Sequence, residues 1–155
     1  MKPEFMREAI RLSFRAMRRN TGGPFGAVVV RNGKVVGRGW NRVTSANDPT
    51  AHAEIVAIRS ACRRLKTFSL EGCELYTSCE PCPMCLSAIY WARVKRVYYA
   101  CTRGDAARIR FRDDFIYNEI ARPVARRRLP MKQFLREEAL SAFREWQLKE
   151  DKVPY

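Results

Sequence analysis

His52-Ala53-Glu54 and, about thirty residues further on, Pro81-Cys82-Pro83-Met84-Cys85 decide how the rest of the 155-residue chain is read. His52 is the only histidine, and a carboxylate follows it two residues later. One imidazole and two thiolates at CxxC spacing make three zinc ligands and leave a fourth position for water. Four protein ligands would close the site and make it structural, whereas an open position can do chemistry. Glu54 is then free to handle the protons of that water. Blander readings exist for each piece. A lone histidine is usually a surface or core residue, and a lone CxxC can be a redox dithiol. Cys79, Cys82 and Cys85 also fall at iron–sulfur spacing, but Ile89 stands where the next cysteine belongs, so a distant one would have to supply the fourth ligand. The order of the pieces, with Pro81 directly before the first thiol, favours zinc.

Length and composition narrow the class. A chain of 155 residues suits one domain, spanning 1–155, with a real core. No stretch approaches the roughly 18–20 apolar residues of a membrane helix, and no signal-peptide core opens the chain, so a cytoplasmic location and no membrane partner are expected. The clustering of three of the six cysteines at 79, 82 and 85 argues for thiols kept reduced for metal. Cys62, Cys73 and Cys101 read as small core residues. The formal charge of +14 is high. It suits a polyanion such as nucleic acid, or reflects solvated arginine faces. Arg7, Arg11, Arg15 and Arg18 form one helical stripe, and Arg126-Arg127-Arg128 lies in a connection. Neither cluster is interleaved with stacking aromatics, so nucleic acid is the less favoured partner.

Periodicity predicts a helix over 3–19 with Phe5, Ala9, Leu12 and Ala16 inward. A buried strand follows at Phe25 to Val30. The Asn32-Gly33 turn returns the chain as an antiparallel partner from Val35 to Trp40. A polar loop leads to a helix from about His52 to Leu65, with His52 in its first turn. Cys73 to Ser78 is a third strand, and Pro81 opens a helix to about Trp91 that carries Cys82 and Cys85 on one face. Both ligand groups therefore sit at helix N-termini, where partial positive charge lowers thiol pKa values. Arg96 to Cys101 is a fourth strand, residues 105–121 are helical at least in part, and Glu137 to about Lys149 is helical. A fifth strand at Met131 to Leu135 competes with continuous helix. The fold class is α/β, a mixed sheet of five strands (or four) between helices in three layers.

With these stretches in place the chain resembles the cytidine deaminase-like zinc hydrolases, most closely the bacterial guanine deaminases. The H-x-E…P-C-x-x-C pattern defines the superfamily. The resemblance runs from Gly22-Gly23-Pro24-Phe25-Gly26-Ala27 through Asn47 to Glu54, Tyr76 to Cys85 and Ala88 to Arg93. Ile89 to Arg93, Phe115-Ile116-Tyr117 and the terminal Tyr155 carry the narrower likeness. It implies a cytidine deaminase-like fold and the zinc-dependent hydrolysis of guanine to xanthine and ammonia. It further implies that His52, Cys82 and Cys85 hold zinc, that Glu54 shuttles protons, and that Asp113 is a second acid/base. Phe25 is implied to stack on the base, Asn41 and the Ala53 backbone to hydrogen-bond it, and Trp91 and Tyr155 to line the pocket. Homodimers whose C-terminal segment (about 131–155) is swapped between subunits are implied as well. One departure stands out: where the family has Gly-Phe-Asp-Asp, this chain has Arg110-Phe111-Arg112-Asp113. A lost glycine alters a turn, and an arginine close to Asp113 favours its ionised form. The competing readings are a deaminase of tRNA or single-stranded DNA, a deaminase of another small base, nucleoside or aminotriazine, and a catalytically silent zinc-stabilised protein. Glu54, for which a structural site has no use, argues against the last.

Overall fold

The structure is a computed structural model and describes residues 1–154. Its first compact unit, Met1–Asp114, contains the helices α1 (Pro3–Arg18), α2 (Val43–Ala46), α3 (Ala53–Leu65), α4 (Pro83–Trp91) and α5 (Arg103–Arg108). Its strands are β1 (Gly26–Arg31), β2 (Lys34–Trp40), β3 (Cys73–Cys79) and β4 (Arg96–Cys101), in the sheet order β2-β1-β3-β4. Asn32 and Gly33 both take positive φ, 50° and 71°, which is the hand a two-residue hairpin turn requires. β1 is antiparallel to β2 and to β3, while β3 and β4 are parallel, as a connection through α4 demands.

The period-2 alternation of the strands divides the core between the two faces of the sheet. Val28, Val30 and Tyr76 face one way and pack with Phe5 and Leu12 of α1. Ala27, Val29 and Leu75 face the other and pack with Ala53, Ala57 and Ala61 of α3 and Ile89 of α4. Full burial of side chains such as Leu12 and Leu75 stabilises the unit by roughly 1.5–3 kcal/mol each. The alanine face of α3 lets its backbone come close to β2. A Cβ on Gly39 would stand 2.1 Å from the Ala53 carbonyl oxygen, so only glycine permits this approach. That contact sets the depth at which the first turn of α3, and hence His52, meets the sheet.

Several sequence expectations shift. His52 lies outside the helix, as the extended N-cap of α3 (φ −67°, ψ 157°), and Cys82 is likewise the N-cap of α4 (φ −66°, ψ 168°). Pro83 takes the first helical position, where its missing N–H costs nothing, so the helix starts there and not at Pro81. The helical region expected over 105–121 breaks into α5 and α6 (Asp114–Ala121). No strand forms at 131–135. That segment is irregular and ends in Leu135 with left-handed φ of 52°, so the sheet has four strands, the smaller of the two numbers expected.

The second unit, Phe115–Tyr155, holds most of α6, a 3₁₀ turn (Val124–Arg126) and α7 (Arg136–Leu148). The Arg127 guanidinium donates to the Ile120 and Arg122 carbonyls and so caps α6. Glu119 receives the Arg128 amide and the Arg122 side chain. Phe115, Ile116, Ile120, Leu129 and Met131 line an apolar hollow within this unit.

Candidate metal centre and active site

His52 Nδ1 lies 3.5 Å from the sulfurs of both Cys82 and Cys85, and the three ligand atoms all fall within 4.8 Å of one another. With Zn–S near 2.3 Å and Zn–N near 2.0–2.1 Å, tetrahedral coordination puts nitrogen and sulfur about 3.5 Å apart. Both nitrogen–sulfur separations therefore match those of a tetrahedral zinc site. Two N-caps and one helical position deliver them. The extended backbones of His52 and Cys82 turn both side chains back across the ends of their helices, and Cys85 follows one turn into α4.

The charges of the cluster call for a cation. A hydrogen bond from the Cys85 thiol, together with His52, pulls the Cys82 thiol down to about 4 against the opposing effect of burial. Cys85 is pushed up by that same bond, by burial and by the Glu54 carboxylate. The two thiols thus shift in opposite directions, with Cys82 the more acidic of the pair. Its hydrogen bond to His52 raises the imidazole, with burial opposing. A divalent ion at the centre relieves this competition, because it allows both sulfurs to ligate as thiolates. Cys79, the other cysteine of the run, is held up at about 12, chiefly by burial. It stays a neutral core thiol whose Sγ lies 3.5 Å from the Thr102 carbonyl oxygen.

Glu54 stands just outside the donor set. It is 5% exposed, and burial raises its carboxyl. Its oxygens are used differently. Oε1 accepts the Thr77 hydroxyl at 2.9 Å, and Oε2 lies 3.4 Å from Cys85 Sγ, on the side of the metal donors. Thr77 is missing from the sequence reading. The one available signal was a polar residue in phase with Leu75 on an otherwise apolar strand face.

The base-binding residues expected from the resemblance divide into two groups. Asn41 is 4% exposed, and its Oδ1 accepts the Val43 amide at 3.2 Å, which leaves the side-chain NH₂ as a donor. Gly22 packs so tightly against it that a Cβ there would lie 2.0 Å from Oδ1. Phe25 is half-buried, and Phe111 meets its ring edge-on at 4.9 Å. The sequence reading named Phe111 only within its altered stretch, not as a partner of Phe25. Ala53, buried, is the first residue of α3, so its amide is among those with no partner inside the helix. Asp113 is near enough for its charge to raise His52. Its carboxyl is itself raised by burial, with Cys82 and Glu80 adding to this and Arg103 opposing. The net shift is thus opposite in direction to the one expected from Arg112. Trp91 is different: it ends α4, at the opposite end from the two thiols, and is 69% exposed. Tyr155 lies outside the described residues.

The turn at Arg110 forms without a glycine. Arg110 takes φ of 72°, its amide bonds the Ala107 carbonyl, and the Phe111 amide bonds that of Ala106. This is a Schellman ending to α5 with arginine where glycine is usual. It carries Phe111 onto Phe25.

An open three-donor zinc centre with an adjacent buried carboxylate, on a three-layer sandwich, defines a zinc aminohydrolase of the deaminase class. The sequence profile of the cytidine and deoxycytidylate deaminase zinc-binding region matches residues 1–101, and the chain belongs to that family. Among its relatives, the guanine deaminase of Bacillus subtilis is 50% identical over 151 residues, 97% of each chain. A crystal structure of guanine deaminase from the same organism superposes with a TM-score of 0.97 at 48% identity, covering 100% of this chain and 99% of the other. The tRNA-specific adenosine deaminase of Aquifex aeolicus is 43% identical over 99 residues, 64% of this chain and 65% of its own.

Proposed function

We propose that the protein hydrolyses guanine to xanthine and ammonia. One observation carries this reading: the likeness to a guanine deaminase runs through 97% of both chains, whereas that to the Aquifex adenosine deaminase ends at about two thirds. His52, Cys82 and Cys85 hold zinc, and what zinc supplies there is a water whose pKa falls from 15.7 towards about 7. Glu54, with Oε2 on the donor side, takes a proton and returns it to a ring nitrogen of the purine. Asp113 serves the departing amine as a second acid/base. Burial raises its carboxyl, the direction that favours a group able to exchange protons. Asn41, whose Oδ1 already accepts the Val43 amide, reads an acceptor on the purine edge through its N–H groups. The Ala53 amide is a second donor, and the Phe25 ring covers a face of the base.

The functional protein on this reading is a homodimer. Within 115–154, Phe134, Phe143 and Leu148 are all exposed, more apolar surface than a lone soluble chain carries comfortably. A second copy covers it, with the C-terminal segment exchanged between subunits. Light scattering should give twice the 18.0 kDa of one chain; a monomer of full activity would exclude the exchange.

The test of substrate is a panel of guanine, cytosine, guanosine and an adenosine-containing tRNA anticodon stem-loop, scored for ammonia with and without a zinc chelator. Guanine should yield xanthine and ammonia in equal amounts, and chelation should abolish both. Turnover of the stem-loop with guanine untouched would overturn the reading. It would assign the +14 charge to binding RNA.

A further inference from the structure

Thr77 is wholly buried on β3, a central strand, where it pairs with Ala27 on one side and Tyr99 on the other. Its side chain shares the α3 face of the sheet with Leu75, where an apolar residue would pack as well. A hydroxyl in such a place must be bonded, and the group it meets is Glu54 Oε1, at 2.9 Å. We infer that Thr77 is a positioning residue for the deamination: its hydroxyl pins one oxygen of Glu54 and thereby leaves the other, Oε2, as the oxygen that moves protons.

The physical case rests on what a buried carboxylate does without that bond. Glu54 is the second residue of α3, at a helix end packed closely against β2, which constrains its backbone. Its side chain retains rotation about the terminal bond, a broad two-fold torsion. Oε2 already stands 3.4 Å from Cys85 Sγ. A carboxylate free to turn or lean toward the donors can occupy the fourth metal position, and a site closed in that way is structural. The Thr77 hydroxyl holds it back. Threonine suits this task, since β-branching restricts χ1 and the central strand fixes the backbone. Ser78, the next residue, points to the other face and accepts the Gly26 amide at 3.0 Å. The end of β3 thus braces the chain beside Phe25 as well as Glu54.

This inference rests on the reading of the site as a base deaminase, and its test uses zinc-loaded full-length protein. Thr77→Val keeps the shape and removes the donor; Thr77→Ser keeps the donor. In Thr77→Val, kcat for guanine should fall about 10–100-fold with KM within about threefold, the range for a displaced supporting group. Zinc content by atomic emission should stay at one per chain. Thr77→Ser should restore kcat to within about threefold of the parent. Parent-like kcat in Thr77→Val would overturn the proposal, as would an equal loss in Thr77→Ser. If Thr77→Val does not fold, Thr77→Ser and Thr77→Ala decide, with restored turnover required of the first and the loss of the second. If the parent turns over another base instead of guanine, the deaminase substrate is wrong, while the same ratios measured on that base still judge Thr77.

Discussion

The rings of Phe25 and Phe111 meet edge to face, with centroids 4.9 Å apart and planes at 90°. Phe25 is the side chain assigned to the face of the base, and Phe111 is what stops it turning away. Such a pair contributes about 0.5–1.5 kcal/mol beyond burial. Phe111→Ala should therefore raise KM for guanine about 2–10-fold and leave kcat within about threefold, because Phe111 reaches no reacting atom. Steady-state kinetics on the variant checks this. A selective fall in kcat would mean that Phe111 supports Asp113, two residues on, and not Phe25.

Arg110 holds a left-handed φ of 72° in the turn that delivers Phe111. A side chain there costs roughly 1–2 kcal/mol; glycine would remove that strain but gains freedom in the unfolded chain. Arg110→Gly should stabilise the protein by about 0.5–1 kcal/mol, a rise in Tm of roughly 1–4 °C for a chain of this size. Arg110→Ala, which keeps a Cβ, should not. Calorimetry distinguishes the two, and equal Tm values for both variants would remove strain as the explanation.

What the sequence made legible follows from how local each signal was. The metal donors were readable because CxxC spacing and the H-x-E triplet are short-range patterns, and Asn32-Gly33 because one turn type needs that pair. The helix starts were misplaced by one or two residues at His52 and Cys82, although Pro83 was the cue for the second. Thr77 was invisible for a different reason. Nothing in a strand pattern separates a threonine that donates to a carboxylate 23 residues away from one that merely favours β-structure. The Phe25–Phe111 contact joins residues 86 positions apart (111 − 25), beyond the reach of any periodicity. Segment 131–135, read as strand or helix from its sequence, pairs with none of the described strands, and pairing is a tertiary property.

Glu8 ties α1 to β2. Its carboxylate accepts two bonds from Arg11, at 2.9 and 2.8 Å, and one from Arg38 at 3.0 Å. Partial burial raises the Glu8 carboxyl, and the two arginines more than offset this, so it is held below its ordinary value. A depressed carboxyl stabilises the fold above its unfolded pKa, near 4.3, and loses that contribution as pH falls through the folded value. Glu8→Gln should cost about 0.5–1 kcal/mol at pH 7 and low salt. The difference from the parent should shrink below about pH 4 and, being screened, also in 1 M salt. Urea melts at pH 7 and pH 3 test the sign. A penalty that persists unchanged at pH 3 would assign the effect to packing and not to charge.

Glu54→Gln separates holding the metal from using it. Glutamine has the same shape and keeps an oxygen that can accept the Thr77 hydroxyl, so the site should assemble as before. The metal donors His52, Cys82 and Cys85 are untouched, and zinc content should remain at one per chain. An amide cannot take up and return a proton near neutral pH, so turnover of guanine should fall by about 10²–10⁴-fold, the contribution of general acid–base catalysis. Cys85→Ser should behave in the opposite way, losing zinc first and activity as a consequence, since a serine hydroxyl is a poor substitute for a thiolate ligand. Adding zinc back should restore a partly depleted parent and leave Glu54→Gln inactive. Near-parent turnover in Glu54→Gln would take Glu54 out of the proton transfers and leave Asp113, whose carboxyl burial also raises, as the group to carry them.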